Sequence, residues 1–259
     1  MSRTWTLSDV ELIALWDRLF KDGLPAPLFA LYRGEDAEEW ARSAATARAG
    51  LADDGGLPDA LARIADADVR VSVRAFDPRR PDDPDGMVRV IGGRQGGVAT
   101  LIRQLPGETI WHSGGYIVHT GDGSRLAGAM VGALPDRAAG QRPDTPLVTA
   151  PGNADTDHHY GRSRVQDSYA EADRLSAEWL DHPAERLGLI ETSLGSSIFG
   201  PRGITPYRIE WRDLVGDGRY AVRDDVGPVA KPVDRPRLAA MITADIATVW
   251  QTLEDERRA

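Results

Sequence analysis

Between Val69 and Phe76 the hydrophobic pattern of this chain switches to a period of two, and this constrains the fold more than any other feature. Val69, Val71, Val73 and Ala75 alternate with Arg70, Ser72 and Arg74, which describes a strand with one buried and one polar face. Asp77 to Gly86 holds three prolines and four aspartates, cannot extend that strand, and reads as a loop. Further strands are expected over Met87–Ile91, Val98–Leu105 and Thr109–Thr120, with Gly92–Gly97 and Pro106-Gly107 as turns. Ser124 to Ala133 reads as a helix.

Helical signals precede this sheet. Ser8-Asp9-Val10-Glu11 is a capping box, with Leu7 and Leu12 placed to form a hydrophobic staple. Leu12, Trp16 and Leu19 then recur on one stripe, and Gly23 is the expected terminator. An Ala-rich helix over Asp36–Gly50 and a short one over Pro58–Ala65 follow. Pro135 to Gly161 lacks periodicity and reads as a long surface connection. Beyond it come a helix over Val165–Leu180, a short helix after Pro183, and strands over Ile190–Phe199, Ile204–Leu214 and Arg219–Arg223. An extended piece at Pro228–Val233 and a helix over Arg235–Glu254 complete the chain.

The two halves resemble each other. Ile102 to Glu108 lines up with Trp211 to Asp217, Gly92 to Gly96 with Gly200 to Gly203, and Arg125 to Met130 with Arg237 to Met241. Three segments in the same order point to an internal duplication. The expected architecture is one composite α+β domain, 1–259, built of two quasi-twofold-related halves. These are 1–134 and 165–259, with 135–164 as the connecting loop.

Apolar residues make up 41% of the chain and charged ones 27%, an ordinary globular balance that argues against disorder. No apolar run approaches the ~20 residues needed to span a bilayer. Met1 to Trp5 leads directly into the first helix rather than through a basic and then an apolar region, so no secretory signal is expected. Cysteine is absent, which removes disulfides, thiol nucleophiles and Cys-ligated metals. The expected compartment is the cytoplasm, without membrane insertion. A net charge of −9 disfavours nucleic acid as a partner. Every basic residue is arginine except Lys21 and Lys231.

No catalytic constellation emerges. The chain has no Gly-x-Ser-x-Gly elbow and no phosphate-cradling glycine motif. Asp155, Asp157, His158 and His159 are the best metal candidates, but they fall in the loop-like connection. His112 and His119, seven residues apart on one expected strand, point to opposite faces. Asp213 to Arg219 lacks the ligand pattern of a calcium loop and fits an Asp-Gly hairpin turn better. No metal or cofactor is expected. Recognition surfaces remain. Arg79, Arg80, Asp82, Asp83 and Asp85 form a mixed-charge tip on a proline-stiffened loop. Tyr207, Ile209 and Trp211 share one strand face, which is either core or a partner platform.

Several stretches resemble the EspG family of type VII secretion chaperones. They are Leu7 to Leu12 with Leu24-Pro25, Val69 to Phe76, Gly86 to Ile91, Ala99 to Gln104, and the closing Arg-Leu-Ala-rich helix. The resemblance implies a central antiparallel sheet flanked by two helical bundles. It further implies a non-enzymatic cytosolic chaperone that caps the apolar PPE tip of a secreted PE–PPE heterodimer. In that family the loop between the second and third strands, the sheet face and the C-terminal bundle contact the client. Carried over, these are the loop Asp77–Gly86, with Tyr207 and Trp211 on the sheet and Tyr169 or Trp179 on the bundle. The alternatives are a homo-oligomeric scaffold joined through a sheet edge, and an uncharacterised hydrolase.

Overall fold

The alternation at Val69–Phe76 forms the strand it predicts, and that strand lies at the centre of the sheet. A computed structural model describes residues 2–29, 31, 36–50, 55–148, 164–223 and 227–258, the side chains of 164–171 excepted. In chain order the elements are β1 (Arg3–Leu7), α1 (Asp9–Phe20), α2 (Ala37–Gly50), α3 (Gly56–Ala65), β2 (Val69–Phe76), β3 (Val88–Gln95), β4 (Val98–Pro106), β5 (Ser113–Asp122) and α4 (Leu126–Gly132). There follow β6 (Thr145–Pro146), α5 (Arg164–Asp181), β7 (Ala184–Leu194), β8 (Tyr207–Leu214), β9 (Arg219–Arg223), β10 (Val229–Pro232) and α6 (Arg235–Arg258).

The strands form one 10-stranded sheet in the order β1-β5-β4-β3-β2-β7-β8-β9-β10-β6, and each pair is antiparallel. β2 and β7 pair from Val69↔Leu194 to Phe76↔Leu187 and join the halves. About that junction the order reads alike in both directions, so β3 corresponds in place to β8 and β4 to β9. Ile102–Glu108 therefore begins on the third strand from the junction, whereas Trp211–Asp217 begins on the second.

Helices cover both faces. On one, Val69, Val71, Val73 and Ala75 pack with Val90, Ile190 and Ile209 beneath α4 and α6. On the other, α1 and α3 place Leu12, Leu15, Trp16, Leu57, Leu61 and Ile64 over Ile91, Ile102, Tyr116 and Val118. α5 covers the far end of that second face, where Trp179 meets Leu214, Tyr220 and Val222.

The capping box forms. Glu11 N–H donates to Ser8 Oγ at 3.2 Å, and Ser8 N–H to Glu11 Oε2 at 2.8 Å. The helix ends earlier than Gly23, because Lys21 takes the left-handed conformation (φ 52°) at its C-cap. The buried stripe runs through Leu12, Leu15 and Trp16, while Leu19 is exposed.

Several strands depart from the sequence reading: β3 runs on through Gly92–Gln95, expected as part of a turn, and β6 lies in the expected connecting loop. Ala184-Glu185-Arg186-Leu187 is built of good helix formers, yet the residues after Pro183 form β7. Lying between β2 and β8, β7 receives backbone partners on both edges, and this tertiary pairing overrides local propensity. β1, only five residues long, lies within the stretch expected to lead straight into α1.

The connection after α4 is tied down over its described part. Arg219, fully buried, donates to both oxygens of Asp213 at 2.7 and 2.9 Å and to the Pro135 carbonyl at 3.0 Å. Its backbone N–H reaches the Ala138 carbonyl at 2.8 Å, and its carbonyl accepts from Gly140 at 3.0 Å. Arg142 then bonds His182 Nδ1 at 2.9 Å, just past α5. A guanidinium only donates, so Nδ1 accepts, and Nε2 carries the proton donated to the Val215 carbonyl at 3.0 Å. These bonds hold the end of α5 against the β8–β9 turn.

Gly188 faces Trp211 directly across β7 and β8. A Cβ there would stand 2.3 Å from the indole, so only glycine admits the ring. Gly188→Ala is expected to cost about 1–3 kcal/mol by overpacking, measured as a lowered midpoint in chemical denaturation.

Candidate partner-binding surface

Between the α1–α3 group and α5, the middle of the second sheet face is left open. Register places its residues in rows. Arg89, Arg74, Leu189 and Glu210 lie side by side across β3, β2, β7 and β8, and Phe76, Leu187 and Arg212 form the next row. Trp179 and Leu180 of α5, with Leu147, wall one side, and Met87 the other. The resulting groove has a volume of about 580 Å³.

Much of its lining is apolar yet accessible. Phe76 is 39% exposed and Leu180 44%, although burial would stabilise each by about 1.5–3 kcal/mol. Beyond Arg89 the apolar surface continues onto Phe29, Leu31 and Trp111, the last 55% exposed. Phe29 and Trp111 meet edge to face at 5.9 Å, and the Arg89 guanidinium lies 5.9 Å from the Phe29 ring. Arg89 also donates to the Ile110 carbonyl at 2.9 Å. Arg212 stacks on Trp179 at 4.8 Å and donates to the Leu180 carbonyl at 3.0 Å. Burial pushes both guanidinium groups below their ordinary pKa.

The Asp77–Gly86 loop leaves the sheet at Phe76 and returns at Met87, so it stands at the end of the groove. Its aspartates and arginines mostly build the loop itself. Buried Asp77 accepts from the Arg79 backbone N–H at 2.9 Å and from its guanidinium at 3.0 and 2.9 Å. Arg80 lies 3.5 Å from Asp77 and 2.7 Å from Asp83. Asp83 caps a 3-10 turn over Pro84–Gly86 by accepting from Asp85 N–H at 3.0 Å. Asp82 and Asp85 are exposed.

The aromatic candidates separate. Trp179 is 2% exposed and serves as a wall, sandwiched between Arg212 and Tyr220. Trp211 and Tyr207 share the opposite face with Ile209, away from the groove. Trp211 is 1% exposed, so it shapes the sheet from within; Tyr207 is 40% exposed. The side chain of Tyr169 lies outside the described residues, as do Asp155, Asp157, His158 and His159.

Sequence reading missed Arg74, Phe76, Arg89, Leu187 and Leu189. A signal was present at Phe76, an aromatic in the polar register of β2. Leu187 and Leu189 were hidden by the helical reading after Pro183. Among the described residues no three His, Asp or Glu groups are placed to hold a metal. Asp213 bonds Arg219, and Asp217 accepts from Tyr220 Oη at 2.8 Å and Gln141 N–H at 2.7 Å, the arrangement of a braced hairpin turn.

The groove is open and partly apolar, with arginines on its floor and a hydrogen-bonded loop at its end, features of the kind that mark interaction sites. The EspG family model matches residues 8–244, and the chain belongs to that family. Its fold is similar to that of the type VII secretion system chaperone EspG5 of Mycobacterium tuberculosis, solved in complex with the PE25–PPE41 dimer. The two are 12% identical, the match covers 96% of each chain, and the TM-score is 0.53. At this identity the likeness establishes the fold. No curated protein matches the chain.

The Arg79 bonds hold the Asp77 carboxyl down at about pKa 2, below the usual ~3.9. A carboxyl depressed on folding adds stability that is complete above the unfolded value and lost as pH falls through the folded one. Asp77→Asn is therefore expected to lower Tm at neutral pH by roughly 2–4 °C, for a loss of about 1 kcal/mol. It should also flatten the stability decline between about pH 4 and 2, followed by thermal melts across that range.

Proposed function

We propose that this chain is a non-catalytic type VII secretion chaperone that binds a PE–PPE pair through the groove and the Asp77–Gly86 loop. The observation that carries this reading is the open, partly apolar sheet face. A folded chain that leaves Phe76, Leu180 and Trp111 in water keeps free energy available for a partner. Family membership supplies the partner class, and the complex in which EspG5 was solved supports it. A helical-bundle tip set against this face would cover about 800 Å² per partner, enough for a specific and releasable complex. Such a cap keeps an apolar client tip from associating elsewhere until export.

In this reading Arg79, Arg80, Asp82, Asp83 and Asp85 present a charged rim whose shape is fixed before the client arrives. Asp82 and Asp85 are free to meet the client, while Arg79 and Arg80 hold the loop in place. Trp179 supports the groove wall. We further propose that the halves 1–134 and 165–259 descend from one ancestral unit, which the strand order about β2 and β7 supports.

Co-expression with a PE–PPE pair encoded in the same genome tests the function. The expected result is a complex with one copy of each chain that survives size-exclusion chromatography. Leu189→Asp, which places a charge on the groove floor without entering the core, should weaken retention at least about tenfold. Failure of the unmodified chain to retain any such pair, together with self-association at its own sheet edge, would favour the scaffold reading.

A further inference from the structure

The groove floor carries an electrostatic imbalance that the fold does not resolve. Arg74 and Arg89 are directly opposite across β2 and β3, and their side chains point into the same groove. Like charges placed so destabilise a sheet. Arg89 is fixed by Ile110 and Phe29, but exposed Arg74 has neither a hydrogen bond nor an ion pair among the described residues. Its neighbour on the other side is Leu189. Glu210 lies two strands away, about 10 Å at the usual strand spacing, a distance at which salt screens most of the attraction. Glu191, in the adjoining row, is engaged by Arg208 at 2.9 Å. Among the described residues the groove thus holds Arg74, Arg89 and Arg212 against the single carboxylate of Glu210, on a chain whose net charge is −9.

Resting on the chaperone reading above, we infer that the groove selects a client tip carrying a carboxylate side chain among its apolar residues, received by Arg74 beside Arg89. The apolar flanks, Phe76, Leu187 and Leu189, take the aliphatic part of the tip. They also exclude water around the ion pair, which strengthens it. A guanidinium is suited to this task because its planar fork matches a carboxylate in two parallel hydrogen bonds. The cost of holding two arginines together in the empty protein is thereby offset only when the client binds. A diffuse polyanion is a poor fit, since the overall negative charge of the chain repels it before contact.

The experiment compares the unmodified chain with Arg74→Gln in two measurements. The first is thermal stability of each protein alone. Removing a like-charge neighbour should leave Tm unchanged or raise it by about 1–3 °C. A fall in Tm would assign Arg74 a structural role and overturn the inference. The second is affinity for the co-expressed PE–PPE pair between 50 and 500 mM NaCl. The variant is expected to bind about tenfold more weakly at low salt and to lose most of the salt dependence of the parent. Replacing the tip carboxylates of the client by amides should reproduce that loss in the parent and add nothing in the variant. Equal binding by parent and variant would overturn the inference and leave the chaperone reading standing. Absence of binding by the parent would overturn both.

Discussion

β2 and β7 together make the molecule one body. Each belongs to a different half of the chain, and eight residue pairs from Val69↔Leu194 to Phe76↔Leu187 link them. One side of this junction buries Val69, Val71, Val73, Ala75 and Ile190 beneath α4 and α6, the main core. Its other side presents Arg74, Phe76, Leu187 and Leu189, the floor of the groove. Since successive strand residues point to opposite faces, a one-residue slip would put the arginine in the core and the valines in water. The register that secures the core also assembles the floor of the groove.

Local chemistry explains which parts were legible beforehand. β2 was clear because one face is buried and the other wet, so its alternation is written in the residues. The capping box was clear because it is complete within four residues. Only the later part of β7 was read as strand, within Ile190–Phe199; its first part was hidden because its opening residues favour helix, and neighbours far away in sequence make it a strand. Helix α1 ends at Lys21, where a non-glycine residue takes a left-handed conformation that composition does not announce.

The groove was less legible than the fold. Its floor combines residues from β2, β3, β7 and β8, and its wall comes from α5. The Tyr207–Trp211 stripe was correctly seen as one face of a strand, but which face could not be read from spacing alone. Gly188 decides the matter for Trp211 by letting the indole lie flat against the sheet. The charged loop was found as a loop; that Asp77 is buried and organises Arg79 and Arg80 depends on how the chain folds back. The resemblance to the EspG family reached the fold through the order of elements, which survives even where identity to a solved relative is 12%.

The arginine pair in the groove also bears on how this protein behaves when it has nothing bound. An exposed apolar hollow invites a second copy of the same molecule, and a twofold contact would set each groove against its twin. With the axis passing through the arginine pair, Arg74 and Arg89 of one copy would confront the same two residues of the other. The repulsion would disfavour that contact between identical molecules, whereas the acidic client proposed above would meet no such opposition. In the proposed reading, self-avoidance and client capture would be two outcomes of one placement of charge.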